Sequence, residues 1–365
     1  MHPGSSSYVI YCENNYVPYV VKNKNLCGKI KTTSMVSIIL PFYQVSPTAF
    51  DEAIRSIAEQ SLRDWELILV DNNADAATRQ IAETWGGKDV RIRIASEPVQ
   101  GIAFALNRGL QEARFSLIAR MDADDFSHPT RLEKQVAYLH DYPEIDAVST
   151  QTTFESELDQ SEGYDWFVQW QNGIVSPEAH ARARFIESPL AHPTIVFRKS
   201  LIERYGPYST ENVPEDYELW LRWFDAGVRF YKIPEPLLIW KDHPQRLSRN
   251  HPNYSTEAFW WVKCQYLAAW IKRSAAPEKK IIVCGAGKLP RLRAKLLEAQ
   301  GIEIYGYTDV KMRQPDGIHF IPLPKLIVPE AWLLLCFISK RGVGEAVAQH
   351  FSALGFEEGK DFLIC

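Results

Sequence analysis

From Val36 onward the chain repeats one pattern, and that pattern limits the folds open to it. Short apolar runs such as Val36-Ser37-Ile38-Ile39-Leu40 alternate with stretches whose apolar residues recur at helical spacing. Strand-length runs separated by helical segments predict βαβ units and a mainly parallel sheet. The spacing predicts strands at 36–41, 65–70, 91–95 and 116–121, with helices at 47–60, 75–85 and 102–113 between them. Parallel strands all end at one edge. Asp71 and Asp122, which close the second and fourth runs, therefore leave the sheet on the same side, where open α/β sheets bind ligands.

The densest chemistry follows the fourth run, in Arg120-Met121-Asp122-Ala123-Asp124-Asp125-Phe126. Carboxylates this close repel one another unless a cation lies between them. Hard divalent ions such as Mg²⁺ or Mn²⁺ suit carboxylate oxygens, and Mg²⁺ is commonly shared with substrate phosphates. The trio thus points to a metal that holds a diphosphate. The alternative is a solvated acidic loop that caps the helix near Pro129.

Later segments read as a helix at 129–141, a strand at 146–152, a variable loop and edge structure over 154–175, and a strand at 193–197. A helix at 215–226 and two short strands at 228–233 and 237–241 follow. Residues 254–273 form one amphipathic helix. It either packs on the preceding domain or lies at a membrane interface, giving peripheral contact. Ser274 to Glu278 reads as a linker. A second α/β unit then opens with Ile281-Ile282-Val283-Cys284, a Gly285-Ala286-Gly287 turn, a helix to Gln300 and a strand at 303–307 closed by Asp309. A helix N-terminus of this kind can hold an anion. With Pro290 at the third glycine position and a short unit, the expectation is a small Rossmann-like appendage with a structural or assembly role, including oligomer contact.

Composition excludes several classes. A chain of 365 residues with 46% hydrophobic and 24% charged residues is long enough for about two globular domains. Net charge −4 gives no reason to expect a nucleic-acid partner. The six cysteines show no CxxC pair, which argues for reduced thiols in a cytoplasmic protein. No apolar run approaches the roughly 18–20 residues that span a bilayer. Residues 1–34 are polar, lack periodicity and do not read as a signal peptide; they are expected to be a weakly ordered extension that chemistry does not need.

The chain resembles the family 2 glycosyltransferases of GT-A fold over residues 35–250. The resemblance rests on Val36 to Gln44, Leu67 to Asn73, Glu97-Pro98-Val99-Gln100-Gly101 with Asn107-Arg108-Gly109, the Asp122-Ala123-Asp124 (DXD) element, Pro214 to Trp220, and Trp240 to Ser248. Gln44 stands where the family usually has Asn. The resemblance implies a metal-dependent inverting transferase that moves a sugar from a UDP-sugar to a hydroxyl of a glycan or lipid-linked acceptor in polysaccharide or lipopolysaccharide synthesis, in the cytoplasm or at the inner face of the plasma membrane. It also assigns roles. Pro41, Tyr43, Asp71, Asn73, Gly101, Asn107, Asp122 and Ala123 would bind the nucleotide sugar, with Asp71 on the uracil ring. Asp124, Asp122 and His243 would hold Mn²⁺ or Mg²⁺. Asp216 would be the general base, with Glu215 positioning acceptor or donor.

Two other classes compete. A sugar nucleotidyltransferase usually carries a glycine-rich basic loop after its first strand, but residues 41–48 contain no Gly, Arg or Lys. A non-catalytic sugar-binding module would have lost its acids, whereas Asp71, Asp122, Asp124 and Asp216 are all present.

Overall fold

The computed structural model describes residues 35–158, 162–274, 278–309, 317–326, 328–338 and 342–365. The expectations for residues 1–34 and for 275–277 of the linker lie outside these. The first half runs β1 (Val36–Phe42), α1 (Pro47–Ala58), β2 (Trp65–Asp71), α2 (Ala76–Lys88), β3 (Ile92–Ser96), α3 (Ile102–Glu112), β4 (Leu117–Arg120), β5 (Phe126–Ser127), α4 (Arg131–Asp141), β6 (Ala147–Ser156), α5 (Glu162–Asn172) and α6 (Pro177–Ala183). It continues with β7 (Val196–Arg198), α7 (Ser200–Tyr205), α8 (Glu215–Asp225), β8 (Phe230–Asp242), α9 (Leu247–Asn250) and α10 (Thr256–Ser274). A second unit holds β9 (Lys280–Cys284), α11 (Lys288–Ala299), β10 (Ile304–Thr308), β11 (Trp332–Cys336), α12 (Val343–Ala353) and β12 (Phe362–Ile364).

The large sheet has the order β3-β2-β1-β4-β7-β6-β8-β5. The strands from β3 to β4 are parallel, as the alternation predicts, because each is joined to the next through a helix. β7 turns the sheet antiparallel on both its sides, against β4 and β6. The sheet is therefore mixed. Its core divides in two, with Leu40, Leu67 and Phe50 on one face and Ile39, Ile68 and Trp220 on the other. Strands buried on both faces read as continuous apolar runs, which is why β1 and β2 are wholly buried. Gly109 lets α3 press against β1: a Cβ there would meet Ile39 Cγ2 at 2.4 Å.

Three expectations change. The segment 154–175 is more regular than a variable loop, since β6 extends to Ser156 and α5 covers Glu162–Asn172. The two strands at 228–233 and 237–241 are one strand, β8, because the irregularity at Pro234 and Pro236 is absorbed by register shifts along β6 at Thr150 to Thr152. The segment 193–197 begins as a short 3₁₀ turn, His192–Thr194, because Pro193 has no N–H to give a ladder.

The second sheet is all parallel, in the order β10-β9-β11-β12. Its face is not closed by its own helices alone. Val283, Leu335 and Leu363 share one apolar core with Val262 and Leu267 of α10 and with Tyr217 and Leu221 of α8. Most apolar positions of the 254–273 helix are thus used in packing within the protein, while Trp261 stays 41% exposed.

Candidate active site

The site lies at the carboxyl edge of β1, β2 and β4. Phe42 and Asp71 are register partners at the ends of β1 and β2. The acids at 122–125 follow directly where β4 stops at Arg120. Pro41 is buried within β1, and Tyr43 just beyond it is 40% exposed, an aromatic face open at the edge.

Beyond β2 the backbone turns sharply, and Asn73 takes a left-handed φ of 67°. Asp71 is nearly buried; it accepts from the Ala74 N–H at 2.8 Å and from Arg79 Nε at 2.7 Å. Asn72, which sequence reasoning passed over, organises the neighbouring loop. Its side chain donates to the Glu97 and Val99 carbonyls and accepts from the Gly101 N–H at 2.9 Å. Asn73 donates to Pro98 O and Gln100 Oε1. Pro41, Tyr43, Asp71, Asn73 and Gly101 are therefore brought to one edge. Asn107 bonds to a different loop. Its amide closes a two-way bond with the Tyr208 backbone, at 2.9 and 3.0 Å, and joins α3 to the loop before α8.

The three acids after β4 converge. Asp122, Asp124 and Asp125 each offer an oxygen, and these atoms lie within 4.8 Å of one another. Ala123, half-buried between them, packs against the core. Asp122 pairs with Arg120, and Arg246 stands 4.0 Å away. Asp124 Oδ2 lies 2.8 Å from His243 Nε2. Burial pulls Asp124 upward, but the His243 hydrogen bond and the Arg246 charge hold it below the usual carboxylate range. The same bond raises His243. Asp125 is fully buried; its Oδ1 accepts from the Lys241 N–H at 3.0 Å and its Oδ2 has no partner among the described residues. Burial first, then the charges of Asp124 and Asp122, push it well above the carboxylate range. A buried oxygen without a donor beside two more carboxylates and an imidazole is the donor set a hard divalent cation takes. The residues present fit such an ion.

The other wall is the first turn of α8. Glu215 is 4% exposed; its Oε2 accepts from the Tyr254 hydroxyl at 2.6 Å, and its Oε1 lies 3.9 Å from His192 Nδ1. Asp216 accepts the Tyr217 N–H at 2.7 Å. Burial raises both, Glu215 to about 8, with help from the Asp216 charge, and Asp216 to about 6. Both carboxyls are thus harder to ionise than exposed ones, for the same reason, burial beside one another.

Arg120 joins the two walls. It is 4% exposed, pairs with Asp122, and its charge acts on Glu215, Asp216, His192 and Tyr208. Burial, then the Arg120 charge, holds His192 well below its ordinary value, so it is a neutral imidazole bonded to the Tyr208 hydroxyl at 2.9 Å. Of these groups the sequence singled out Glu215, Asp216 and the stretch containing Arg120. His192 and Tyr208 lie in unpatterned segments, Tyr254 stands only as the start of the 254–273 helix, and no spacing marks any of them as a site group.

A mixed α/β sheet with acids at the ends of its parallel strands is the GT-A glycosyltransferase architecture. The comparisons agree. The family model described as glycosyl transferase family 2 matches residues 37–206. The chain is 32% identical to the Bacillus subtilis (strain 168) protein EpsE over 228 residues, 61% of this chain and 78% of that protein. It is 29% identical to the amylovoran biosynthesis glycosyltransferase AmsE of Erwinia amylovora, across 56% of this chain and 75% of AmsE. Residues 1–349 of S. aureus TarS, solved in complex with UDP-GlcNAc, share the fold at 15% identity and a TM-score of 0.52, covering 72% of this chain and 70% of that one. The chain belongs to glycosyltransferase family 2. It is a glycosyltransferase.

Proposed function

We propose that this enzyme transfers a sugar from a UDP-sugar, a hexose or N-acetylhexosamine, to a hydroxyl of a glycan or lipid-linked glycan, inverting the anomeric centre. The observation that carries this is the placing of two acid sets on facing walls, Asp122, Asp124 and Asp125 on one and Asp216 on the other, with Arg120 between them. Asp122, Asp124 and Asp125, with His243, would hold Mn²⁺ or Mg²⁺, whose charge would offset that of the departing diphosphate. Tyr43 and the loop ordered by Asn72 line the nucleotide side, where Asp71 is the uracil contact. Asp216, ionised near neutral pH, takes the proton of the acceptor hydroxyl. One base and no separate nucleophile support direct displacement. The names of the relatives AmsE and the Escherichia coli O-antigen biosynthesis glycosyltransferase WbnJ support a bacterial surface polysaccharide as the product. Among the described residues no helix is long and apolar enough to cross a membrane; the proposed place of action is the cytoplasm or the inner membrane face. The test is a screen of free UDP-sugars for UDP release with and without Mn²⁺. No metal-dependent release from any UDP-sugar would remove this reading.

A further inference from the structure

Helix α8, which carries Glu215 and Asp216, is held along one stripe by the segment that ends in α10, and both lie beyond the residues 37–206 that match the family model. Glu215, Glu218 and Asp225 recur at helical spacing and face the segment that leads into and forms α10. Tyr254 donates to Glu215 at 2.6 Å, Tyr266 to Glu218 at 2.5 Å, and Arg273 pairs with Asp225. Between these polar contacts Tyr217 and Leu221 pack into the same core as Val262, Leu267 and the second sheet. The position of the Tyr254 hydroxyl is therefore set by α10 and what lies beneath it.

We infer that Tyr254 is a positioning residue for sugar transfer: its hydroxyl fixes the Glu215 carboxyl against His192, which holds the first turn of α8 so that Asp216 faces the reacting hydroxyl. The two neighbouring acids are treated differently. Glu215 is gripped by a side chain on Oε2 and faced by His192 on Oε1. Asp216 is held by backbone N–H groups alone, its own and that of Tyr217, with no side chain gripping it among the described residues, so it stays open to a substrate proton. One consequence is that the second sheet contributes to catalysis without touching substrate, through α10 and Tyr254.

This rests on the transfer reading above, and one set of variants separates the two. UDP release from a UDP-sugar with Mn²⁺ is measured for the wild type, Asp216→Asn, Tyr254→Phe, Glu215→Gln and the Tyr254→Phe/Glu215→Gln double variant. Tyr254→Phe removes one hydroxyl and keeps the ring. It is expected to lower kcat about ten- to hundredfold, the size of effect a misplaced reacting group produces, with donor KM and melting temperature unchanged. In the Glu215→Gln background the same change is expected to add less than about twofold, because the two residues act as one unit. Wild-type kcat in Tyr254→Phe overturns the inference, and so does an equal loss in both backgrounds. Equal release by the wild type and Asp216→Asn overturns the transfer reading instead.

Discussion

The protein holds two parallel-stranded edges of the kind on which α/β proteins bind ligands, and among the described residues only one gathers an acid cluster. At the large sheet the strand ends deliver like charges into a buried place. There Asp125 Oδ2 and Arg120 Nε lack hydrogen-bond partners among the described residues. At the small sheet β9 and β11 end in Cys284 and Cys336, which are register partners, and Cys365 follows β12. Burial pushes the Cys336 thiol well up and Cys365 to about 12, so both stay neutral. Its glycine turn is already satisfied, with the Ala286 N–H bonded to Asp309 Oδ2 at 2.9 Å. The difference is one of balance. An edge can take a charged ligand when its buried charges exceed their internal partners, and a loop capped by its own carboxylate has less to offer an anion.

The sharpest way to break this contrast is to remove charge from the large edge. Asp124→Ala is expected to reduce Mn²⁺-dependent UDP release to background while the melting temperature stays near wild type. Retained turnover would show that the acid cluster does not serve the diphosphate.

Asp216→Asn is expected to cost about 10² to 10⁴ in rate, as loss of a general base does, with UDP affinity preserved. Because Asp216 must be ionised to act, the wild-type kcat/KM should rise with pH through about 6. Stability runs the other way. A carboxyl whose folded value is raised contributes stability that is present below its unfolded value of 3.8 and lost as pH rises through about 6. Asp216→Asn should therefore melt higher than wild type at pH 7.5 and equally at pH 3.5. A lower melting temperature at pH 7.5 would mean that Asp216 is a structural cap.

The next effect concerns the boundary between the two sheets. Ending the chain after Ser274 strips cover from Val262, Leu267 and Ile271, which are all nearly inaccessible in the whole protein. Each buried aliphatic side chain returned to water costs about 1.5–3 kcal/mol. The shortened chain should aggregate or melt well below the full one. A soluble, fully active product would make the small sheet a separable appendage.

The smallest effect is expected at the small edge. Asp309→Asn weakens one hydrogen bond to Ala286, a change of about 1 kcal/mol in urea unfolding, and should alter UDP release less than twofold. A large loss of transfer would place this edge in the reaction.

Much of the site could be read in advance because it belongs to strand ends. Asp71 and Asp122 share an edge by topology, and His243 does meet Asp124. Asn107 could not be placed by the same logic, since a helix residue near the edge can equally face a loop, here that of Tyr208. The segment 154–175 was opaque for a related reason. Its helix, α5, is rich in Trp, Tyr and acidic residues, and gains its order from packing on β6.

Local periodicity alone determined the βαβ order, the edge at which the acids emerge and the helix that carries Glu215 and Asp216. These follow from rules acting over a few residues: strand and helix repeats, and the obligation of parallel strands to end together. Tertiary structure alone decided which acids are gripped and which are left open. Arg120 between the walls, Tyr254 on Glu215, and the core shared by α8, α10 and the small sheet each join residues distant in sequence. Their acidities depend on burial and on neighbours brought close by packing, and neither quantity is written in the spacing of residues along a chain.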